Sequence, residues 1–468
     1  MLVTKKSCGN LKSNFYSRRA VVYLLLVFLI KMNKILLIFL SLTIYWSAYG
    51  QYKNIKLDEA NGEGYAPAEP SITINPDNPD NIVAAAILNK IYVTHDGGQT
   101  WSKQEVESEY GVFGDPVLTA DKKGNFYFFH LSDPAGKGWQ DDGLLDRIVC
   151  QVSKDGGDTW EDAGYYGLNH PKDQDKEWAI FDPSSKNLYT AWTQFDKYKS
   201  AESDHFSNIL FSKSATGKKW TAPIQLNKEA GNCLDDDGTV SGAMPAVGPD
   251  GQIYVVWAHN EKIYLDRSWD KGKVWLRNDL EAAKQPGGWT FDIPGLGRAN
   301  GLPFIDVDVS KSVVRGTVYL LWTDQRNGEN DTDVWIKKTT NHGDTWTSPV
   351  RVNDDDPGKH QFMASMTIDQ TTGILYILYY DRRAYDDLQT DVYLAYSIDG
   401  GNKFTNVKIS ETPFVPDEEH FFGDYIDISA HKGIISPVWT RMDNGKTSIW
   451  TSVIKQDDLV KIEDKLTR

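Results

Sequence analysis

Short apolar runs recur along the chain in pairs, each pair joined by a Gly- or Asp-containing turn, and this pattern predicts β-strands from end to end. Residues 116–120 are followed by 126–131, 304–309 by 317–323, and 364–369 by 374–380. A polar octapeptide then punctuates six successive units. Thr94-His-Asp96-Gly-Gly98-Gln-Thr100-Trp101 is followed by Ser153-Lys-Asp155-Gly-Gly157-Asp-Thr159-Trp160. Ser268-Trp-Asp270-Lys-Gly272-Lys-Val274-Trp275 and Thr339-Thr-Asn341-His-Gly343-Asp-Thr345-Trp346 come later. A weaker copy spans Ser397 to Phe404, and a degenerate one, Ser212 to Trp220, has one extra residue and no Asp. The closing aromatic residues fall at 101, 160, 220, 275, 346 and 404, so successive copies lie 59, 60, 55, 71 and 58 residues apart. So regular a period marks one supersecondary unit repeated.

The octapeptides read as hairpin turns. A short Asp or Asn accepts bonds from the turn's own amides, glycines supply positive φ, and the Trp folds back between strands. With two strands before each turn, one running into it and one leaving it, every unit holds four short antiparallel strands, the blade of a β-propeller. First strands begin near Glu69, Asp115, Glu177, Met244, Pro303, Met363 and Asp424, which gives seven blades; six or eight would leave the all-β architecture unchanged. The seventh lacks a fourth strand. Residues 52–58 look like the fourth strands elsewhere, so they are expected to pair with the C-terminal blade and close the ring.

The octapeptide pattern and its period resemble the sialidase-like BNR-repeat (Asp-box) propellers over about residues 65–455. That resemblance implies the fold and a connection with carbohydrate. Sialidases carry an Arg-containing motif ahead of the first octapeptide. Here that region reads Ala66-Pro67-Ala68-Glu69-Pro70-Ser71, with no Arg between Gln51 and Trp101, so no catalytic triad is carried over.

The first 50 residues differ from the rest. Met32-Asn33-Lys34 followed by an apolar core and by Ser47-Ala48-Tyr49-Gly50 reads as a signal peptide starting at Met32 and cleaved before Gln51. The expected domains are a signal region at 1–50, one propeller at 51–455 and a charged tail at 456–468. The expected location is the periplasm or the exterior, as a monomer with no membrane attachment after cleavage. The formal charge of -15 argues against a nucleic-acid partner. Cys150 and Cys233 remain after cleavage; their spacing matches no zinc motif, and their pairing is open. The acidic runs 235–237 and 354–356 offer hard oxygen ligands but read as solvated loops, and no metal or cofactor is expected.

Four long segments, 133–146, 196–206, 231–242 and 277–301, fall on the face opposite the octapeptides, where function tends to sit. On that face Glu69, Asp115, Glu177 and Asp424, with Tyr425 beside the last, begin the innermost strands of four blades that the closed ring makes neighbours. Clustered carboxyls raise one another's pKa, as a general acid requires. Second strands end with Arg326, Arg382 and Arg441, candidates to grip a carboxylate or sulfate, and His130 and His259 point the same way. The alternative is that the acids and arginines pair with each other, Asp324 with Arg326 and Asp381 with Arg382. The reading is a glycoside hydrolase for an acidic glycan or oligosaccharide. The rivals are a glycan- or protein-binding propeller, with Trp139 or Trp289 carrying affinity, and an envelope assembly component.

Overall fold

Each octapeptide folds as its residues dictate. Ser153 Oγ donates to Asp155 Oδ1 at 2.8 Å and accepts the Gly157 amide at 2.8 Å, and Asp155 Oδ1 accepts the Thr159 amide at 3.0 Å. The same bonds recur around Asp96, Asp270, Asn341 and Asp399. A Cβ at Gly157 would stand 2.7 Å from Val83 of the neighbouring blade, so glycine is needed there for close packing as well as for its φ of 102°. In the degenerate copy the cap is Ser214, whose Oγ accepts the Gly217 amide at 2.9 Å.

The computed structural model describes residues 52–61, 66–141 and 143–459; the expected signal region lies outside them. Seven antiparallel blades are present. Their innermost strands are Ser71–Ile74, Gly114–Ala120, Asp173–Asp182, Ser241–Val247, Phe304–Val307, Gln361–Asp369 and Asp427–His431. Six blades are continuous in sequence. The seventh holds Asp427–His431, Ile434–Asp443 and Lys446–Thr451, and Ile55–Glu59 closes it by pairing with Lys446–Thr451, Ile55 opposite Thr451 and Glu59 opposite Ser448. The N-terminal strand thus supplies the missing fourth strand. Ile454–Lys455 adds a short pairing to Ile434–Ile435. Within the expected charged tail, residues 456–459 form a helical turn that buries Leu459, whose carbonyl accepts a bond from Tyr396 Oη at 3.3 Å.

Second strands explain the many tryptophans. Trp192, Trp257, Trp322 and Trp439 each stand on one and are fully buried. Each removes roughly 200 Å² from water, worth about 5 kcal/mol before the entropy of ordering is set against it. The blades are also latched near the axis. Asp306 of blade 5 accepts the Ile368 amide of blade 6 at 3.0 Å, and Asp427 of blade 7 accepts the Ile72 amide of blade 1 at 3.0 Å. Cys150 and Cys233 are both buried and unpaired.

Candidate functional site

The innermost strands of blades 2, 3, 4 and 6 begin with a β-bulge, between Gly114 and Val117, Asp175 and Trp178, Ser241 and Met244, and Phe362 and Ser365. Each bulge holds one residue in the left-handed region: Asp115 (φ 50°), Lys176 (53°), Gly242 (71°) and Met363 (49°). Glu69 (52°) takes the same conformation just ahead of blade 1 and Gly423 (97°) ahead of blade 7. For a residue with a Cβ this conformation costs on the order of 1 kcal/mol, and such strain concentrates at functional sites. Four non-glycine residues carry it around one axis.

The observed register differs from the expected one by one residue in blade 3, where the bulge shifts it, and in blade 7, ahead of its first strand. Lys176, not Glu177, is the counterpart of Asp115, and Gly423, not Asp424, is the counterpart of Glu69. Because side chains alternate along a strand, one residue of shift turns Glu177 away from the axis. Glu177 is fully buried near Tyr166, and neither of its carboxyl oxygens has a hydrogen-bond partner within the protein. Burial, with Asp115 nearby, pushes its pKa well up.

A cavity of about 300 Å³ opens on this face. Its floor is Glu69, Asp115, Asp175, Lys176 and Asp424, and all four long segments contribute to its walls: Trp139, Tyr198, Asp235 and Arg298 come one from each. Arg298 ties the walls to the floor, with Nε 2.8 Å from Asp424 Oδ1 and Nη1 2.7 Å from Asp235 Oδ2. Tyr198 Oη donates to the same Asp235 oxygen at 2.8 Å. Glu69 Oε1 accepts the Asp424 amide at 3.0 Å. Lys176 Nζ has no hydrogen-bond partner within the protein and lies 4.0 Å from the centre of the Tyr425 ring. Tyr425 itself is buried below the cavity, its hydroxyl 3.4 Å from the Pro116 carbonyl. On the rim, Trp139 is 62% exposed, stacked on Tyr198 at 5.6 Å and edge-on to Phe113 at 5.5 Å.

Burial dominates the electrostatics. It pushes Glu69 well up, with Asp115 and Asp424 adding to the shift, and pushes Asp175 well up, with Asp115 and Asp235 adding. Burial raises Asp115 as well, and the Lys176 ammonium is the largest influence holding it down. Burial would depress Lys176, but Asp115, Asp424 and Glu69 outweigh it, so the amine is held protonated. Arg298 is raised chiefly by Asp424. The floor thus sets carboxyls raised by burial beside fixed cations, which suits proton donation.

The other sequence candidates stand elsewhere. Arg326 pairs with Asp324 and lies over Trp335, 4.3 Å from the ring centre. Arg382 is buried, its Nη1 donating to the Pro294 carbonyl at 2.6 Å; it is Arg383, not Arg382, that pairs with Asp381, at 2.8 Å. Arg441 pairs with Asp443 at 2.5 Å. His130 is fully buried, with Nδ1 2.9 Å from the Leu131 carbonyl, and burial lowers its pKa to about 4. His259 is buried beside Asn260, 3.0 Å from its side-chain amide. None of these five lines the cavity. Trp289 is buried and donates to the Thr239 carbonyl at 3.2 Å, leaving Trp139 as the exposed one of the two. Among the described residues no three acid, His or Cys side chains stand where they could hold a metal ion together; Asp235 and Asp237 spend their oxygens on Arg298 and on the Trp289 and Glu261 amides.

Sequence reasoning passed over Asp175, Lys176, Tyr198 and Arg298, and weighed Asp235 only as a metal ligand. Asp175 and Lys176 stand directly before Glu177 in the charged run 173–177, and the other three lie in segments already marked by their length.

No protein-family model matches this chain, and no curated protein does. Among solved structures it is similar to a polysaccharide lyase of family PL25, an ulvan lyase bound to -[GlcA(1-4)Rha3S]-, with 14% identity over 86% of this chain and 96% of that one and a TM-score of 0.51. It is also similar to the NanB sialidase of Streptococcus pneumoniae, with 8% identity, coverage of 87% and 99%, and a TM-score of 0.48. The α-L-arabinanase of Penicillium chrysogenum, complexed with arabinobiose, gives 11%, 86% and 98%, and 0.46. These neighbours are carbohydrate-active propellers, and what the likeness to the lyase shows for this chain is the propeller fold.

Proposed function

We propose that the protein is an exported, carbohydrate-acting enzyme of the glycoside-hydrolase type, working on an acidic glycan in the cavity over Glu69, Asp115, Asp175 and Asp424. The observation that carries the reading is the presence in one cavity of carboxyl groups in two environments. Asp115 and Asp175 are raised by burial, whereas Asp424 is ion-paired with Arg298 at 2.8 Å. Paired acids whose surroundings differ in this way divide the work of glycosidic cleavage, one donating a proton to the leaving oxygen and one acting as base or nucleophile. In this account Asp115 or Asp175 is the donor and Asp424 the carboxylate. Trp139, stacked on Tyr198, offers its face to a sugar ring.

An acidic substrate is supported by the cations of the lining, Lys176, Lys199 and Arg298. Lys176 Nζ in particular has no hydrogen-bond partner within the protein. Lys176 and Lys199 take the part that Arg326, Arg382 and Arg441 were expected to play. The similar ulvan lyase fold, solved with -[GlcA(1-4)Rha3S]- bound, agrees with a glycan-binding role for the scaffold. A second reading, glycan binding without turnover, is favoured by the internal bonds of Glu69 to the Asp424 amide and of Arg298 to Asp424.

The test is chromatography of products from sialylated, uronic-acid and sulfated glycans incubated with the protein and with its Asp115→Asn variant. Product that disappears with the variant supports the enzyme. Binding of the same glycans with no product from either protein would leave the recognition module.

A further inference from the structure

The turn of blade 4 departs from its repeat at three exposed positions. Trp269 stands 53% exposed at the second position, and Val274 stands 68% exposed at the seventh, where Thr100, Thr159 and Thr345 occupy other copies. The fourth position is left-handed in every copy with the regular spacing. It is Gly97 (69°), Gly156 (85°) and Gly400 (70°) in three of them, but Lys271 (64°) in blade 4 and His342 (64°) in blade 5. A non-glycine residue there strains the backbone, and nothing in the turn's own hydrogen bonding requires it.

What the two substitutions build is a fixed aromatic platform with a basic border. His342 packs edge-on against Trp269, ring centres 4.7 Å apart at 81°, and its Nδ1 lies 2.7 Å from Tyr254 Oη. Arg267 stands 5.5 Å from the Trp269 ring and is itself tied to the His342 carbonyl at 2.5 Å and to Asp344 at 2.6 Å. Lys271 and Lys273 are exposed beside the ring, and Lys213 of blade 3 reaches over to donate to the Lys271 carbonyl. Lys213 is lowered by burial and then by the Lys273 charge, a sign of how closely the ammoniums crowd. The one acid within the turn, Asp270, turns Oδ1 inward to the Ser268 hydroxyl and the Lys273 and Val274 amides. A basic cluster held against a chain of net charge -15 creates a local field that draws polyanions.

We propose that this turn face, opposite the cavity, is a second binding site for an acidic polysaccharide. A sugar ring stacks on Trp269 while its carboxylates or sulfates meet Lys213, Lys271 and Lys273. The site rests on its own observations and stands whether or not the cavity is catalytic. It would hold the protein on a polymer while leaving the opposite face free.

The test is affinity electrophoresis of the protein in gels containing polygalacturonate or dextran sulfate, with neutral dextran as control. Retardation in the anionic gels is expected, with affinity about fivefold weaker for Trp269→Ala, a change of about 1 kcal/mol. Lys271→Gly separates binding from folding. It should weaken retardation while its melting temperature holds or rises, since glycine relieves the left-handed position. Trp139→Ala, in the cavity, should be retarded like the parent. The proposal is overturned if neither anionic gel retards the protein, if Trp269→Ala and Lys271→Gly migrate like the parent, if Trp139→Ala alone abolishes retardation, or if anionic vesicles hold the protein and the polymers do not.

Discussion

Arg298 and Asp424, 126 positions apart in sequence, meet at 2.8 Å between Nε and Oδ1, and the same guanidinium holds Asp235 at 2.7 Å. One side chain from an irregular segment therefore fixes both a wall and the floor of the cavity. Arg298→Ala removes the one cation that Asp235 and Asp424 share, leaving Asp235 with Tyr198 Oη at 2.8 Å and Lys199 Nζ at 4.0 Å. The arginine side chain is one-third exposed, so the expected loss is about 2 kcal/mol, below that of a fully buried pair. Urea denaturation measures it, and activity should fall with it.

Asp115→Asn and Asp175→Asn each remove a titrating proton from the floor while keeping the side chain's shape. Loss of the proton donor is expected to lower turnover by about 10²–10⁴, with melting temperature little changed. The other of the two variants should show a smaller effect. Initial rates on the glycan identified by the product screen separate them.

Lys176 is the largest influence holding Asp115 down. In Lys176→Met the Asp115 pKa therefore rises further. A proton donor works below its pKa, so the alkaline limb of the pH–rate profile should move to higher pH in the variant. A limb that stays in place or moves to lower pH would assign the limb to another group.

Trp139→Ala removes an exposed ring that packs on Phe113 and Tyr198. Because it is 62% exposed, folding stability should hardly change. The Michaelis constant should rise about fivefold, the value of one lost stacking contact.

The blade seams have their own pH dependence. Burial pushes Asp306 up to about 7, with the Val307 and Ile368 amides partly offsetting it. The folded chain thus keeps a proton that the unfolded chain releases near about pH 4. Stability from this residue is fully present below about pH 4 and falls as pH rises toward 7. Asp306→Asn carries no titrating proton and should flatten that decline; its single amide oxygen keeps only one of the Val307 and Ile368 N–H bonds that Asp306 Oδ1 and Oδ2 accept, so a loss of stability that does not vary with pH is expected beside it. Chemical denaturation at several pH values reads the difference.

The blades were legible in the sequence because the chemistry of the octapeptide is local. A Ser or Thr, an Asp or Asn, and a glycine within eight residues specify their own turn, and ring closure followed from the strand missing at 456–468 and present at 52–58. The cavity was only half legible. Glu69, Asp115 and Asp424 reach it, but a bulge cannot be read from apolar spacing, and in blade 3 it exchanged Glu177 for Lys176. The arginines were drawn off by neighbours. Arg326, Arg383 and Arg441 each have an aspartate two positions away, and residues two apart on an extended backbone share a face. Arg298 left no periodic signal, since its segment has no regular structure around it.

The central claim is that burial raises the cavity's carboxyl groups above the ordinary carboxylate range beside an ion-paired one. Infrared difference spectroscopy of the protonated carboxyl band, followed from acid to neutral pH, tests it directly. The account predicts a band that persists above about pH 5, past the ordinary carboxylate range, and diminishes in both Asp115→Asn and Asp175→Asn. A band that is gone by about pH 5, or that both variants leave unchanged, would contradict it.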